Sequence, residues 1–147
     1  MKLPVTRRQG AVAVYFPACI NRIFGPPKAE RHLPSVPEAV VTVSERAGQP
    51  LWIPPDVTSA CCATVWQSKG YREGNTLMAN LIIERVWEWS DQGQLPVVID
   101  AGSCTLGVTE EILPYLTDEN LSRHQALTIV DSIGLRLVRS RRRRHGG

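Results

Sequence analysis

The chain alternates short, continuously apolar runs with longer segments whose apolar residues recur at helical spacing. Three apolar runs end at proline or glycine turn signals and are typical of buried strands, at residues 11–16, 51–53 and 95–99. Strands that alternate with helical segments favour a parallel sheet with right-handed crossovers. The predicted fold class is therefore α/β, a three-layer Rossmann-like parallel sheet with helices on both faces.

Two helices carry clear sequence signals. Ser35 and Glu38 form a capping-box pattern, and the apolar residues that follow at steps of three and four predict a helix that Gly48 ends. Residues 71–92 place apolar side chains on one helical face, and Gly93 ends that pattern. We expect both helices to pack against the sheet.

The remaining segments have weaker patterns. Thr109, followed by two glutamates, is predicted to open a further helix, and Thr117 another that continues to about residue 138. Residues 21–33 and 56–70 are rich in turn residues and are predicted to be loops.

The length and composition of the chain indicate a single domain. The chain has 147 residues, of which 43% are hydrophobic and 21% charged, as in ordinary globular domains. We predict one domain at residues 10–138 and a basic, disordered tail at 139–147. Five of the 17 lysines and arginines lie in that tail, so the 14 acidic residues outnumber the basic ones elsewhere. No specific nucleic-acid partner is predicted for the folded part.

The hydrophobic segments are too short to span a bilayer, which takes roughly 20 apolar residues. The apolar run near the N-terminus is interrupted by Pro17 and is followed by no small-residue cleavage site, unlike a secretory signal. The sequence therefore predicts a cytoplasmic protein.

All four cysteines follow predicted strands. Cys19 comes after the first strand, Cys61 and Cys62 lie in the loop after the second, and Cys104 comes after the third. The carboxyl ends of parallel strands share one edge of the sheet, where such folds bind ligands. We expect the four thiols to converge in one site there.

Several kinds of chemistry suit four cysteines. They can be small buried hydrophobic residues, or disulfides, although a cytoplasmic chain with an ordinary core needs no such staples. A zinc site usually draws its ligands from C-x2-C pairs, which this chain lacks. An adjacent pair with two distant cysteines suits an iron–sulfur cluster better, because its iron atoms need ligands on different sides.

Polar residues near the cysteines have less specific signals. Asp56 and Asp100 are predicted to serve turn chemistry, which uses aspartate routinely, rather than to tune the thiols. Arg22 and Lys69 either compensate an anionic cluster or lie in solvated loops.

The three cysteine-containing segments resemble the cysteine-rich CCG domain. They are residues 14–25, residues 61–64 with 68–70, and residues 100–107, and the resemblance covers roughly residues 10–133. The segments are most similar to the copy near the C-terminus of bacterial FAD-linked D-lactate dehydrogenases. Those enzymes are relatives of the glycolate oxidase iron–sulfur subunit and the heterodisulfide reductase B subunit.

The resemblance implies an electron-transfer function. In those proteins an FAD domain oxidises a 2-hydroxy acid, and paired CCG domains pass electrons towards a membrane acceptor. The resemblance implies that the four cysteines either ligate an iron–sulfur cluster of the 4Fe–4S type or act as redox thiols. These cysteines are Cys19, Cys61, Cys62 and Cys104. The implied partners are an FAD-containing dehydrogenase segment or subunit, which holds the FAD, a second CCG domain and, indirectly, a membrane electron acceptor. The resemblance thus also implies a position peripheral to the inner face of the membrane.

The chain departs from the family pattern in ways that limit this function. Ala101 stands where the final C-x-x-C has its first cysteine, and Ala63 replaces the glycine of CCG, so a degenerate or simpler site is an alternative. No G-x-G-x-x-G and no ferredoxin cysteine run is present. We therefore expect a chain that is inactive alone: a fragment, a split-gene product or a remnant. The alternative from another class is a non-catalytic structural or interaction domain with structural cysteines.

Overall fold

The strands of the computed structural model, which describes residues 2–134, confirm the predicted α/β class. Within those residues they form one four-stranded, all-parallel sheet in the order β2-β1-β3-β4. The strands are β1 (Ala13–Phe16), β2 (Leu51–Trp52), β3 (Val97–Ile99) and β4 (Ile129–Asp131). Every residue of β1 and β3 is buried, as expected for central strands covered on both faces.

Helices connect and follow the strands. They are α1 (Cys19–Ile23), α2 (Val36–Arg46), α3 (Thr64–Ser68), α4 (Arg72–Trp89), α5 (Gly102–Leu106) and α6 (Asp118–Ala126). A π-helical turn, Gly107–Glu111, continues α5, and short 3-10 turns occupy Lys28–Glu30, Val57–Ser59 and Leu113–Tyr115. No helix in residues 2–134 has the length and apolar character needed to cross a membrane.

The order of the strands creates a crevice between β1 and β3. The connection through α2 runs from β1 to β2 on one side, whereas those through α4 and α6 run the other way along the sheet. Right-handed crossovers therefore place α2 on the face opposite α4 and α6, which gives the three-layer arrangement. The chain leaves β1 and β3 towards opposite faces, and this divergence is where open α/β sheets bind ligands.

The two most clearly predicted helices, α2 and α4, begin where the sequence predicts. Ser35 N–H donates to Glu38 Oε2 at 2.7 Å, and Glu38 N–H donates to Ser35 Oγ at 3.4 Å, so the capping box of α2 is complete. The helix predicted at 71–92 ends earlier than expected, at Trp89. Asp91 and Gln92 both adopt left-handed backbone conformations that a helix cannot contain.

The last predicted helix requires a correction. The helix that begins after Thr117 ends at Ala126, and the chain then forms the edge strand β4 instead of continuing to residue 138. Three consecutive β-branched residues, Thr128 to Val130, favour this strand because branching at Cβ restricts them in a helix. Residues 135–138 and the predicted tail at 139–147 lie outside the described residues.

Short helices account for the other differences. The helix predicted to open at Thr109 is wrong: α5 begins at Gly102, and Thr109 lies inside the π-helical turn. The predicted loops at 21–33 and 56–70 contain part of α1 and all of α3. Helices of five residues have too few turns to show a hydrophobic periodicity.

Candidate functional site

The cysteines lie in short segments that follow three of the strands. Cys19 is the first residue of α1, which follows β1, and Cys104 lies in α5, which follows β3. Cys61 and Cys62 lie between the 3-10 turn after β2 and α3. All four are free thiols, of which Cys62 and Cys104 are buried and the other two are partly exposed.

Two of these thiols are in direct contact. The Sγ atoms of Cys62 and Cys104 lie 3.2 Å apart, and both side chains are shielded from solvent. Only a small closing movement separates this contact from a disulfide bond, whose S–S length is about 2.05 Å. The contact is therefore a preformed dithiol.

Hydrogen bonds divide the protons unequally among three thiols. The pKa of Cys62 is lowered, chiefly by its side-chain hydrogen bonds with Cys104 and then with Cys61, with further help from Thr64. The pKa of Cys104 is raised, first by that same hydrogen bond to Cys62 and then by burial. The pKa of Cys61 is raised for the same two reasons. Cys62 is thus the thiolate of the group, and its two neighbours hold their protons.

Cys19 interacts electrostatically with two of the other three thiols. A negative charge on Cys19 raises the pKa of both Cys61 and Cys104, although more weakly than their bonds to Cys62 do. Four sulfur donors suit iron–sulfur chemistry in kind. As arranged, however, no three Cys, His, Asp or Glu side chains in residues 2–134 are grouped so that they could hold a metal ion. The arrangement fits a reactive thiol pair, Cys62 and Cys104, better than it fits four ligands of one metal cluster.

A left-handed residue follows the thiolate. Ala63 has a φ of 67°, forms the N-cap of α3 and is fully buried. Glycine adopts this conformation freely, whereas a residue with a Cβ atom is strained by about 1 kcal/mol. A glycine at this position would adopt the same backbone conformation without that strain.

Gly107 allows α3 to approach the π-helical turn. A Cβ atom on Gly107 would collide with Oγ1 of Thr64, a residue that helps to lower the pKa of Cys62. The close approach therefore holds Thr64 beside the thiolate. Gly107 ends the cysteine-containing segment 100–107, but no local sequence pattern predicts this packing role.

Asp100 connects the ends of the two central strands. Its carboxylate accepts a hydrogen bond of 2.6 Å from the Tyr15 hydroxyl and another of 2.6 Å from the Ala18 backbone N–H. The pKa of Tyr15 is raised, mainly by burial and then by the bond to Asp100. Asp100 thus fixes the turn that leads into Cys19, a longer-range role than the turn chemistry expected.

Arg22 holds the loop before Cys61. Its guanidinium donates to the carbonyl oxygens of Val57 and Ala60, both at 2.6 Å, and lies 5.7 Å from the ring centre of Phe16. Arg22 is therefore not a solvated loop residue. Nothing in the local sequence pattern could have revealed these long-range bonds.

Asp56 is also structural. It pairs with Arg85 at 3.1 Å and accepts from Trp89 Nε1 at 2.9 Å, which anchors the loop after β2 to α4. We therefore assign Asp56 a role in the fold and none in the chemistry of the thiols.

No family model, curated protein or solved structure matches the chain.

Proposed function

We propose that the chain is a redox-thiol electron-transfer module of an FAD-dependent 2-hydroxy acid dehydrogenase of the D-lactate type, inactive as a dehydrogenase by itself. The observation that carries the proposal is the 3.2 Å contact between Cys62 Sγ and Cys104 Sγ. The proposed partners are the FAD-containing dehydrogenase segment or subunit and a second CCG domain. We further propose that the chain acts in the cytoplasm beside the inner face of the membrane.

The thiol geometry supports a two-electron exchange. When the Cys62 thiolate and the Cys104 thiol form a disulfide, the pair gives up two electrons and one proton to an acceptor of the quinone class, which takes its second proton from solvent. When the reduced flavin of the partner reduces that disulfide, the flavin supplies two new electrons and one proton, which restore the thiolate and the thiol, and its second proton goes to solvent. Within the pair, Cys62 is the nucleophilic sulfur, because its lowered pKa favours the thiolate.

The iron–sulfur cluster on Cys19, Cys61, Cys62 and Cys104 stays a separate prediction. Iron, sulfide and zinc contents with a visible absorption spectrum, measured on anaerobically reconstituted protein, test it directly. The matched control is the double variant Cys61→Ser/Cys62→Ser. Iron and sulfide that disappear in the control would support the cluster, whereas colourless zinc would support a zinc module.

The electron-transfer proposal is tested by coupling to a dehydrogenase. The oxidised chain is mixed anaerobically with a purified FAD-linked D-lactate dehydrogenase and D-lactate, and newly formed thiols are counted by labelling and peptide mapping. We expect labels to appear on Cys62 and Cys104 only when D-lactate is present, and Cys104→Ser to gain none from this pair. Oxidised protein that keeps its disulfide under these conditions would favour structural cysteines in a non-catalytic domain.

A further inference from the structure

A pocket of about 360 Å³ opens beside the two partly exposed cysteines. Cys19 and Cys61 both line it, and α1 contributes Arg22. The rest of the lining consists of three apolar residues, Leu3, Ile23 and Ala60, and two hydroxyl residues, Thr58 and Ser59. The pocket therefore combines two thiols, one cation and two hydroxyl residues with an apolar wall.

The charge on Arg22 is not balanced by a carboxylate. Arg22 forms no ion pair within residues 2–134, where the ion pairs involve Arg85 and Arg123. Its bonds to two carbonyl oxygens use two of the five guanidinium N–H donors, and its Nε is buried without a hydrogen-bond partner. A partly buried cation with spare donors is stabilised when an anion joins it.

Arg85 provides a contrast on the other side of Cys61. It lines a smaller pocket of about 130 Å³ that Cys61 also borders. Unlike Arg22, Arg85 is paired with Asp56 at 3.1 Å and with Glu88 at 3.8 Å. Of the two pockets beside Cys61, only the one that Arg22 lines therefore presents an uncompensated positive charge.

We propose that the Arg22 pocket binds a small monocarboxylate. The carboxylate would pair with Arg22, whose planar donors match its geometry, and a short aliphatic part would contact the apolar wall. A single positive charge suits a singly charged ligand, and the apolar part of the lining favours a ligand with an aliphatic part over inorganic phosphate or sulfate. The inference goes beyond the proposed electron transfer, because it requires no change in the oxidation state of any thiol.

A pair of alkylating reagents that differ in charge tests this proposal on the full, reduced chain. Iodoacetate carries a carboxylate, and iodoacetamide is its neutral analogue. We expect the ratio of the two alkylation rates at Cys61 and Cys19 to be about tenfold higher in the folded chain than in the unfolded chain, as one charge-assisted hydrogen bond provides. Arg22→Gln should return the ratio to the unfolded value, and Arg85→Gln should leave it high.

An equal ratio in the folded and unfolded chains would overturn the proposal, as would a ratio that Arg22→Gln does not change. Because Arg22→Gln also removes two hydrogen bonds from the loop before Cys61, a second measurement uses the unaltered chain. Butyrate should protect Cys61 from iodoacetamide, whereas butyramide and chloride at matched ionic strength should not. Absence of protection by butyrate would also overturn it. Cys104→Ser, which abolishes the dithiol, should retain the protection, so this test can fail or succeed independently of the redox function.

Discussion

The hydroxyl of Tyr15 in β1 donates a 2.6 Å hydrogen bond to Asp100, which directly follows β3. The second carboxylate oxygen of Asp100 accepts from the N–H of Ala18, one residue before Cys19. One side chain thus joins the ends of both central strands and fixes the start of α1. The position of Cys19 relative to Cys104 depends on this connection.

Removal of that carboxylate should destabilise the fold and loosen the site. We expect Asp100→Ala to lower the free energy of unfolding by about 3 kcal/mol, because it leaves a buried hydroxyl and a backbone N–H without partners. Tyr15→Phe, the matched control, removes one bond without affecting Ala18 and should cost about 1 kcal/mol. Urea denaturation measures both, and iodoacetamide labelling of Cys19 should accelerate only in Asp100→Ala. Equal costs for the two variants would contradict the role given to Ala18.

The contact of Gly107 with Thr64 predicts a rescue. Gly107→Ala should destabilise the chain by about 2 kcal/mol, in the range for overpacked interiors, because its new Cβ atom collides with Thr64 Oγ1. Thr64→Ala removes that oxygen and leaves the residue 64 Cβ at an ordinary contact distance, so the double variant should recover most of the loss. A double-mutant cycle by urea denaturation measures the coupling. Simple additivity of the two single changes would show that the collision is relieved in another way.

Ala63 should tolerate glycine unusually well. Ala63→Gly loses a buried methyl group, worth about 0.8 kcal/mol, but relieves left-handed strain of about 1 kcal/mol. We therefore expect its free energy of unfolding to change by less than about 1 kcal/mol. Ala79→Gly is the matched control, because Ala79 is equally buried but lies within α4, where glycine should cost about 2 kcal/mol from lost helix propensity and lost burial. Thermal or urea unfolding of the two variants compares them, and equal losses would mean that the left-handed backbone carries no strain.

Local sequence signals were enough to predict the parts of the fold that depend on local chemistry. The buried runs of β1 and β3 and the capping box at Ser35 each combine neighbouring residues into one signal. The strand β4 was missed because its β-branched signal, residues 128–130, is only three residues long and begins two residues after α6 ends. The five-residue helices α3 and α5 were missed because they too are short.

The candidate site was predictable only in outline. The rule that parallel strands end at one edge predicts that distant cysteines gather there, but it cannot say which thiols touch. The contact of Cys62 with Cys104 lies next to the left-handed turn at Ala63 and the close approach at Gly107. Both features arise from tertiary packing, and so do the bonds of Arg22 to distant carbonyl oxygens.

The unequal pKa values of the thiols predict how stability depends on pH. The pKa of Cys62 is lowered on folding, so its contribution is complete above the unfolded thiol pKa of about 8.5 and is lost as the pH falls. The pKa values of Cys61 and Cys104 are raised, so their contributions are complete below about 8.5 and are lost as the pH rises. Under reducing conditions, the free energy of unfolding should therefore have a thiol-dependent maximum near pH 8.5.

Cys62→Ser is the control for this profile, because it removes the thiolate and, with it, the main cause of the other two shifts. On the acid side of the maximum, the wild-type profile should rise relative to the variant by at most about 1.4 kcal/mol per pH unit. Urea denaturation across a pH series measures both profiles. A constant difference between them from about pH 6 to about pH 10 would refute the assignment of the thiolate to Cys62.

The redox function of the dithiol is tested most directly by oxidising the native chain with a mild disulfide reagent and mapping the product by mass spectrometry. The geometry predicts one dominant disulfide, Cys62–Cys104, which forms equally well in Cys19→Ser and is reversed by a thiol reductant. A retained pair of free thiols at Cys62 and Cys104, or a disulfide through Cys19 in their place, would contradict it.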